Sequence, residues 1–476
     1  MDEDEPTMAK AEAAAAVQTG VPDAAARFFA LGSKHHRRGD LKAALHAYAN
    51  AVRHDRRHAN AYNNMGVALR SMGKLEAAVA CYDRALALNR AGAGTHSNLG
   101  NALRGLGRYA LAAIHLGEAV KLAPRSAETF YNLGLVLRDL GQLDDALRCF
   151  EKSLATRRDH PDCVWDQALT FLMMGDFERG FPAYEARWNL ARARKRPIRH
   201  PLWDGSDLDG RTIVLHNEQG FGDMIQFVRF VPLVAERGGT VVLEVQPELS
   251  HLFEGVRGAS RVVLDGAVED EADVAAPLMS VPGILGTTLE TIPAEVPYLA
   301  APDVAGDRIR VHFGAGCNVG ICWAGKITHA DDRNRSCSLA HFVDLMGLAD
   351  VAFHSLQVDA GRRAIEAQGC EALVTDLGGR LHDFADTAAV ISQLDLVITV
   401  DTAVAHLAGA MGRPVWVLIP FAADWRWMRD REDNPWYPTM RVFRQLRPGD
   451  WAELMARVKE ALSEFAAARE KTLRSD

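Results

Sequence analysis

Residues 59–90 read ANAYNNMGVALRSMGKLEAAVACYDRALALNR and residues 93–125 read AGTHSNLGNALRGLGRYALAAIHLGEAVKLAPR. Laid over each other, the two agree where side-chain size matters. Working outward, Gly32, Gly66, Gly100 and Gly134 recur every 34 residues, with Ala168 next in register. Gly39, Gly73, Gly107, Gly141 and Gly175 form a second series of the same period, and Ala44, Ala78, Ala112, Ala146 and Gly180 a third. Large side chains follow at Tyr48, Tyr82, Leu116, Phe150 and Tyr184. Such a period is that of a helix–turn–helix unit, which buries its apolar face only by stacking on its neighbours. The first glycine and the alanine fall where paired helices cross closely, and the second glycine falls in the turn, where a positive φ is needed. The large side chain is expected to fill the gap between neighbouring repeats.

These series resemble the tetratricopeptide repeat family over residues 22–190. The fifth unit departs from the pattern at Ala168 and Gly180 and ends in YEARW (Tyr184 to Trp188), which reads as a cap handing over to the next domain. Stacks of this kind present a concave surface for partners. An acceptor protein or peptide is the expected occupant; packing on the rest of the chain, or homodimerisation, are the alternatives. Asn63, Asn64, Asn98 and Asn132 fall on first helices of repeats, where their amides can bond an extended peptide backbone. Exposed polar positions with no such role look the same.

The 476 residues exceed one hydrophobic core, and 48% hydrophobic with 24% charged residues is an ordinary globular mix. A net charge of −8 argues against a protein built mainly to hold nucleic acid. The basic run Ala191 to Arg199 is local and reads as a solvated linker or an anion-binding strip. Cys81, Cys149, Cys163, Cys317, Cys322, Cys337 and Cys370 are odd in number and without a C-x-x-C pair, as expected of reduced thiols in a cytoplasmic protein. The start, MDEDEPTMAKAEAAAA, is acidic where a signal peptide is basic. The apolar stretch Asp395 to Pro420 contains Asp401, His406 and Arg413, so no membrane span is expected.

From Arg211 onward strands alternate with helices, the mark of a parallel α/β sheet. Strands are expected at Thr212–His216, Thr240–Val245, Val319–Gly325, Ala352–Gln357, Leu394–Val400 and Pro414–Ile419. Two Rossmann-like lobes joined near residues 297–306 point to a GT-B-like pair with its ligand at the carboxyl ends of the strands. The turn Glu218-Gln219-Gly220-Phe221-Gly222-Asp223 can bring backbone N–H groups against an anion. It is not the dinucleotide fingerprint, because Ile225 stands where the third glycine belongs, although Glu244 at a strand end keeps a dehydrogenase reading open.

The GFGD turn resembles the heptosyltransferase family, in which a G-D pair opens the first helix of the lobe and the aspartate is the proposed base. Val400 to Pro414 (VDTAVAHLAGAMGRP) is similar to that family's D-T-x-x-x-H-L-x-x-A-x-G-x-P signature. Repeats fused to such a domain also resemble bacterial relatives of O-linked N-acetylglucosamine transferase and the repeat-bearing flagellin-modifying transferases. The resemblance implies transfer of a sugar from a nucleotide sugar to a protein, flagellin among the candidates.

Transfer from a nucleotide sugar needs a base for the acceptor's proton and positive groups for the departing phosphate. Asp223 matches the family's aspartate and is the expected base, though it also suits a helix N-cap. The expected donor-binding residues are Gly222, Lys326, Arg333, Arg335, Gln357, Asp401, Thr402 and His406. Arg335 best matches the family's basic position, Gln357 would meet the nucleotide base, and His406 suits either the donor or a buried structural role. Asp383, Asp386 and Thr387 read as contributors or as helix capping. Trp425, Trp427, Trp436, Tyr437 and Arg441 would line a sugar site or, the preferred reading, pin the last helix across both lobes.

No metal is expected. Asp207-Leu208-Asp209 precedes a strand and reads as a turn, and His54 with His58 has no third ligand in view. No cofactor is expected either, the nucleotide sugar being a substrate. The resulting class is α + α/β, a repeat superhelix followed by a GT-B-like pair of lobes. The expected partition is a disordered acidic and alanine-rich tail (1–21), repeats (22–190), a linker (191–210), a first lobe on the acceptor side (211–300), a second on the nucleotide-sugar side (301–450) and a C-terminal helix (451–476). Two alternatives remain: transfer to a lipid or polysaccharide, and a scaffold whose α/β part binds without turnover.

Overall fold

The computed structural model describes residues 23–193, 198–267, 272–309, 311, 313–314, 316–326, 328 and 332–475. The expected tail (1–21) and part of the basic run lie outside these residues. The chain forms two compact units that divide between His160 and Pro161.

Among the described residues, the first unit is a run of eight helices: α1 (Ala24–Arg37), α2 (Leu41–His54), α3 (Ala59–Ser71), α4 (Leu75–Leu88), α5 (Ala93–Gly105), α6 (Tyr109–Leu122), α7 (Ala127–Asp139) and α8 (Leu143–Thr156). They pair as α1–α2, α3–α4, α5–α6 and α7–α8. The turn glycines Gly39, Gly73, Gly107 and Gly141 lie at φ of 79°, 73°, 70° and 79°, the left-handed region that side chains avoid. The alanine series is fully buried. The large side chains extend the sequence reading. A Cβ on Gly32 would lie 2.5 Å from the Tyr48 ring, and Gly66, Gly100 and Gly134 stand in the same relation to Tyr82, Leu116 and Phe150. Each large side chain thus fills the space left by the glycine of its own repeat, and Tyr48 also meets the next repeat, its hydroxyl accepting from Asn64 at 3.4 Å.

The second unit begins with α9 (Pro161–Met174) and α10 (Phe177–Tyr184), so the fifth helical pair belongs to the α/β unit. Phe177 and Phe181 pack on Trp425 at centroid distances of 6.3 and 6.1 Å, and Phe177 meets Trp436 at 5.6 Å. The first lobe is a parallel sheet of β1 (Thr212–His216), β2 (Thr240–Val245), β3 (Arg261–Leu264) and β4 (Val274–Pro277) in the order β3-β2-β1-β4, with α11 (Phe221–Phe227) following β1. Residues 201–208, expected as linker, belong to this lobe. Trp203 and Leu208 are buried, and Trp203 N donates to Ala275 O along β4.

The second lobe comprises β5 (Cys317–Cys322), β6 (Val351–Ser355), β7 (Val374–Asp376), α12 (Phe384–Ile391), β8 (Leu396–Val400), α13 (Ala403–Ala410), β9 (Val415–Ile419), β10 (Met440–Arg444) and α14 (Trp451–Ser475). Its sheet, all parallel, runs β10-β9-β8-β5-β6-β7. The strand order reverses between β1 and β4 in one lobe and between β8 and β5 in the other, so crevices open at the carboxyl ends there. α14 covers the second sheet through Trp451, Leu454, Met455, Val458 and Leu462, packed with Trp416 and Phe443.

The aromatic tail therefore does not pin the last helix. Trp425, Trp427, Trp436 and Tyr437 are buried between α10, α11 and α13 instead, while Arg441 is exposed and pairs with Glu432. Trp436 meets Phe227 and Phe230 of the first lobe at 5.8 and 6.5 Å. Their apolar surface joins the fifth helical pair to both lobes, at roughly 25 cal/mol per Å² removed from water.

Candidate active site

The turn after β1 and the helix after β8 face each other. A Cβ on Gly222 would lie 2.9 Å from His406 Cδ2 and 3.6 Å from Ala403 Cα, so glycine is what lets α11 approach α13. Asp223, one residue on, accepts from Gly220 N at 2.8 Å through Oδ2 and from Arg426 Nη2 at 2.5 Å through Oδ1. The N-cap weighed for it in the sequence is Gly220 instead, and Asp223 reaches back to it from the first turn of α11; the second contact ties it to the other lobe.

Arg426 is the hub. Besides Asp223, it donates to Gln226 Oε1 at 2.8 Å and to Asp424 Oδ1 at 2.9 Å, and its plane lies over Trp425 at 4.5 Å. Burial opposes its charge, but Asp424, Asp223 and Tyr184 outweigh that and push its pKa above the ordinary guanidinium value. The same burial acts on Asp401, whose pKa rises to about 6; Asp424 adds to the shift, while Trp427, Arg335 and Arg426 oppose it. Thr402 begins α13, its hydroxyl 2.9 Å from that of Thr399. His406 is buried, bonds the Tyr437 hydroxyl at 2.9 Å through Nδ1 and stacks on Trp427 at 5.3 Å. Burial first, then Arg426, Arg229 and Arg335, hold its pKa well below the usual imidazole value, so it is neutral.

Arg335 lies against Gly325, whose added Cβ would meet its Nη2 at 2.5 Å, and its Nε is 3.9 Å from Asp332 Oδ1. Lys326 and Arg333 are exposed on the loop after β5. The structure therefore gathers Gly222, Asp223, Arg335, Asp401, Thr402 and His406 at the facing strand ends, with Lys326 and Arg333 on the loop beside Arg335.

Gln357 is a correction. It is buried, its Oε1 accepts from Trp323 N at 3.2 Å and Ala324 N at 3.0 Å, and its Nε2 donates to Ala324 O at 3.1 Å. An amide engaged on both sides with backbone is not free to read a base. Among the asparagines of the first unit, Asn98 donates to Asn63 at 3.1 Å, Asn63 to Asn64 at 3.1 Å and Asn64 to the Tyr48 hydroxyl at 3.4 Å, while Asn132 is buried and donates to Ser97 at 3.2 Å. Asn63, Asn64 and Asn98 are half-buried, and these bonds use only part of what each amide can make.

Glu244, fully buried, is taken by His216 Nδ1 at 2.7 Å and accepts from Gly266 N at 2.6 Å, which removes the ribose contact a dehydrogenase would need. Asp383 caps α12 through Asp386 N and also meets His251 at 2.9 Å and Arg308 at 3.2 Å. Asp386 is buried and pairs with Arg308, and the Thr387 hydroxyl donates to Asp383 O. His58 caps α3 through Ala61 N, and His54 stacks on Phe28. Among the described residues no three metal-ligating side chains gather, and no helix is long and apolar enough to cross a membrane.

Sequence reasoning missed Arg426 and Asp424. The signal lay in the run Asp424-Trp425-Arg426-Trp427, where an arginine between two tryptophans marks a buried cation in need of a carboxylate. Tyr184 and Gln219 were likewise read as cap and turn, not as partners.

Comparison with known proteins agrees with this organisation. The tetratricopeptide repeat models match residues 59–91, 93–126 and 127–160, and the model for glycosyltransferase family 9 (heptosyltransferase) matches residues 350–418, the span from β6 to β9. Protein FlbA of Caulobacter vibrioides is 30% identical over 331 residues, 63% of this chain and 55% of its own length, so the chain spans about half of that relative. Among solved structures, MamA (41-end) from Desulfovibrio magneticus RS-1 is 22% identical and covers 37% of this chain and 99% of its own, at a TM-score of 0.34. PilF of Pseudomonas aeruginosa is 27% identical, covers 37% and 78%, and has a TM-score of 0.32. The chain is thus similar to tetratricopeptide repeats over residues 59–160 and to glycosyltransferase family 9 over residues 350–418.

Proposed function

We propose that the second unit is a GT-B glycosyltransferase that moves a sugar from a nucleotide sugar to an acceptor protein held by the repeats. The observation that carries this reading is the meeting of two strand-end motifs, with Asp223 at one switch point and Asp401–His406 at the other. The family 9 match over the second motif supports the same bond chemistry.

In the proposed reaction an acceptor hydroxyl attacks the anomeric carbon, its proton passes to Asp223, and the bond to the phosphate oxygen breaks with release of the nucleotide. Negative charge grows on the departing phosphate. Lys326, Arg333, Arg335 and the amino-terminal turn of α13 supply positive potential for it, a role that needs no metal. His406, neutral and buried, adds no charge and instead spaces the two helices. Asp223 keeps lone pairs beyond those used by Gly220 and Arg426 and so remains able to accept a proton.

Three matched repeats favour a protein acceptor over the lipid or polysaccharide precursor that similarity to heptosyltransferases alone would suggest. The test is nucleotide release from a panel of UDP-, GDP-, ADP- and CMP-sugars, with chelator present. Asp223→Asn is expected to lower turnover about 100-fold or more. Undiminished turnover would remove Asp223 from the chemistry.

A further inference from the structure

The two residues that lead into the Gly220–Asp223 turn are gripped from outside the sheet. Gln219 lies at φ 64°, the left-handed region that a glutamine occupies only when its surroundings hold it there. Its Nε2 donates to the Tyr184 hydroxyl at 2.9 Å. Glu218, its neighbour, receives Arg187 on both oxygens, from Nε at 2.6 Å and from Nη2 at 2.9 Å, the fork-on-fork geometry that fixes direction as well as charge. Tyr184 closes α10 and Arg187 follows it by three residues, so both grips come from the end of the fifth helical pair.

Neither gripping side chain can follow the turn if it moves. Arg187, 5% exposed, also donates to Ser280 Oγ at 2.6 Å and to Glu185 Oε1 at 2.5 Å, and its guanidinium lies over Trp188 at 4.7 Å. Tyr184, 2% exposed, packs on Trp165 at 4.5 Å and Trp425 at 6.5 Å. A repeat that only ended a stack would present a polar face to water. This one delivers two fixed contacts to the turn that carries Asp223.

We propose that Tyr184 and Arg187 are positioning residues, and that the helical pair α9–α10 is a strut holding the Gln219–Asp223 turn in register with Arg426. The catalytic consequence rests on the glycosyl-transfer reading; the mechanical one does not. A carboxylate displaced by about an ångström from its reacting geometry loses rate by orders of magnitude while the donor, bound on the other lobe, is held as before.

The experiment uses the full chain with Tyr184→Phe, which removes one oxygen and keeps the ring. Two quantities are followed: amide hydrogen exchange of the peptide spanning residues 217–224, and nucleotide release from the UDP-, GDP-, ADP- and CMP-sugar panel. Exchange in that peptide should rise about 10-fold with β2 and β8 unchanged, and kcat should fall about 10-fold with KM for the donor unchanged. Adding Gln219→Gly to the Tyr184→Phe chain should recover most of the loss, because glycine takes φ 64° without being held. A tyrosine that merely fills the core would show no such recovery, so its absence overturns the proposal. Unchanged exchange in Tyr184→Phe overturns it as well. If the native chain releases no nucleotide from any donor, the glycosyl-transfer reading falls, and the exchange data still decide whether the strut exists.

Discussion

Two helical pairs written in the same 34-residue register have different fates. In the pair α3–α4, the turn residue Gly73 sits at φ 73° with nothing within 4 Å of an added Cβ, and Gly66 makes room for Tyr82 of its own repeat. In the pair α9–α10, Gly175 has the same backbone, at φ 80°, but an added Cβ would meet Met428 at 2.8 Å and Leu289 at 3.3 Å. One turn faces open space and the other is covered by the α/β unit. A repeat pattern records how two helices cross each other; it carries no record of what their outer face touches.

Deleting the pair should give the largest effect. Residues 161–476 alone are expected to fold, whereas residues 191–476 should be insoluble or unfolded, because Trp425 and Trp436 lose the Phe177 and Phe181 surfaces that bury them. Circular dichroism and solubility of the two fragments check this; equal behaviour would make the fifth pair an ordinary cap.

A finer test compares Gly73→Ala with Gly175→Ala. Both pay the positive-φ penalty of about 1–2 kcal/mol, and Gly175→Ala adds roughly 1 kcal/mol from crowding Met428 and Leu289. In a urea titration, Gly73→Ala should shift the transition of the first unit and Gly175→Ala, by more, that of the second. Equal shifts would erase the contrast.

The smallest effect concerns Asp401. With its folded pKa at about 6, the fold keeps a proton that the unfolded chain, near 3.9, has already released between about pH 4 and 6. Stability of the second unit should therefore fall as pH rises through that window and stay level above it. Asp401→Asn removes the ionisation, so it should stabilise the unit by on the order of 1 kcal/mol at pH 7 and by nothing at pH 4. Urea midpoints at the two pH values measure this. The first unit should not respond.

What was legible in the sequence follows from where a strand lies in its sheet. The six strands read there, β1, β2, β5, β6, β8 and β9, all lie inside their sheets, and buried parallel strands are near-continuous apolar runs. The four that were not read, β3, β4, β7 and β10, are the four sheet edges. β7 has three residues, β4 ends in proline and β10 carries Arg441 and Arg444, features that blunt an edge and hide the strand together. The site divides similarly. Asp223, Asp401, Thr402 and His406 sit in local motifs at strand ends and could be named. Arg426 stands 203 positions from Asp223, and only the fold brings them together. Gln357 stood at a strand end like the others, and nothing in its neighbours distinguished a free amide from one bonded to the backbone of Trp323 and Ala324.

The most direct measurement is hydrogen exchange of the full chain with and without UDP, GDP, ADP and CMP. At least one nucleotide should protect residues 401–406 and the 325–336 loop, with the 220–224 turn responding as the lobes close on it. Protection confined to the open groove of about 980 Å³ lined by Asp359, Arg362, Thr375 and Asp376, or none with any nucleotide, would contradict a donor site at the facing strand ends.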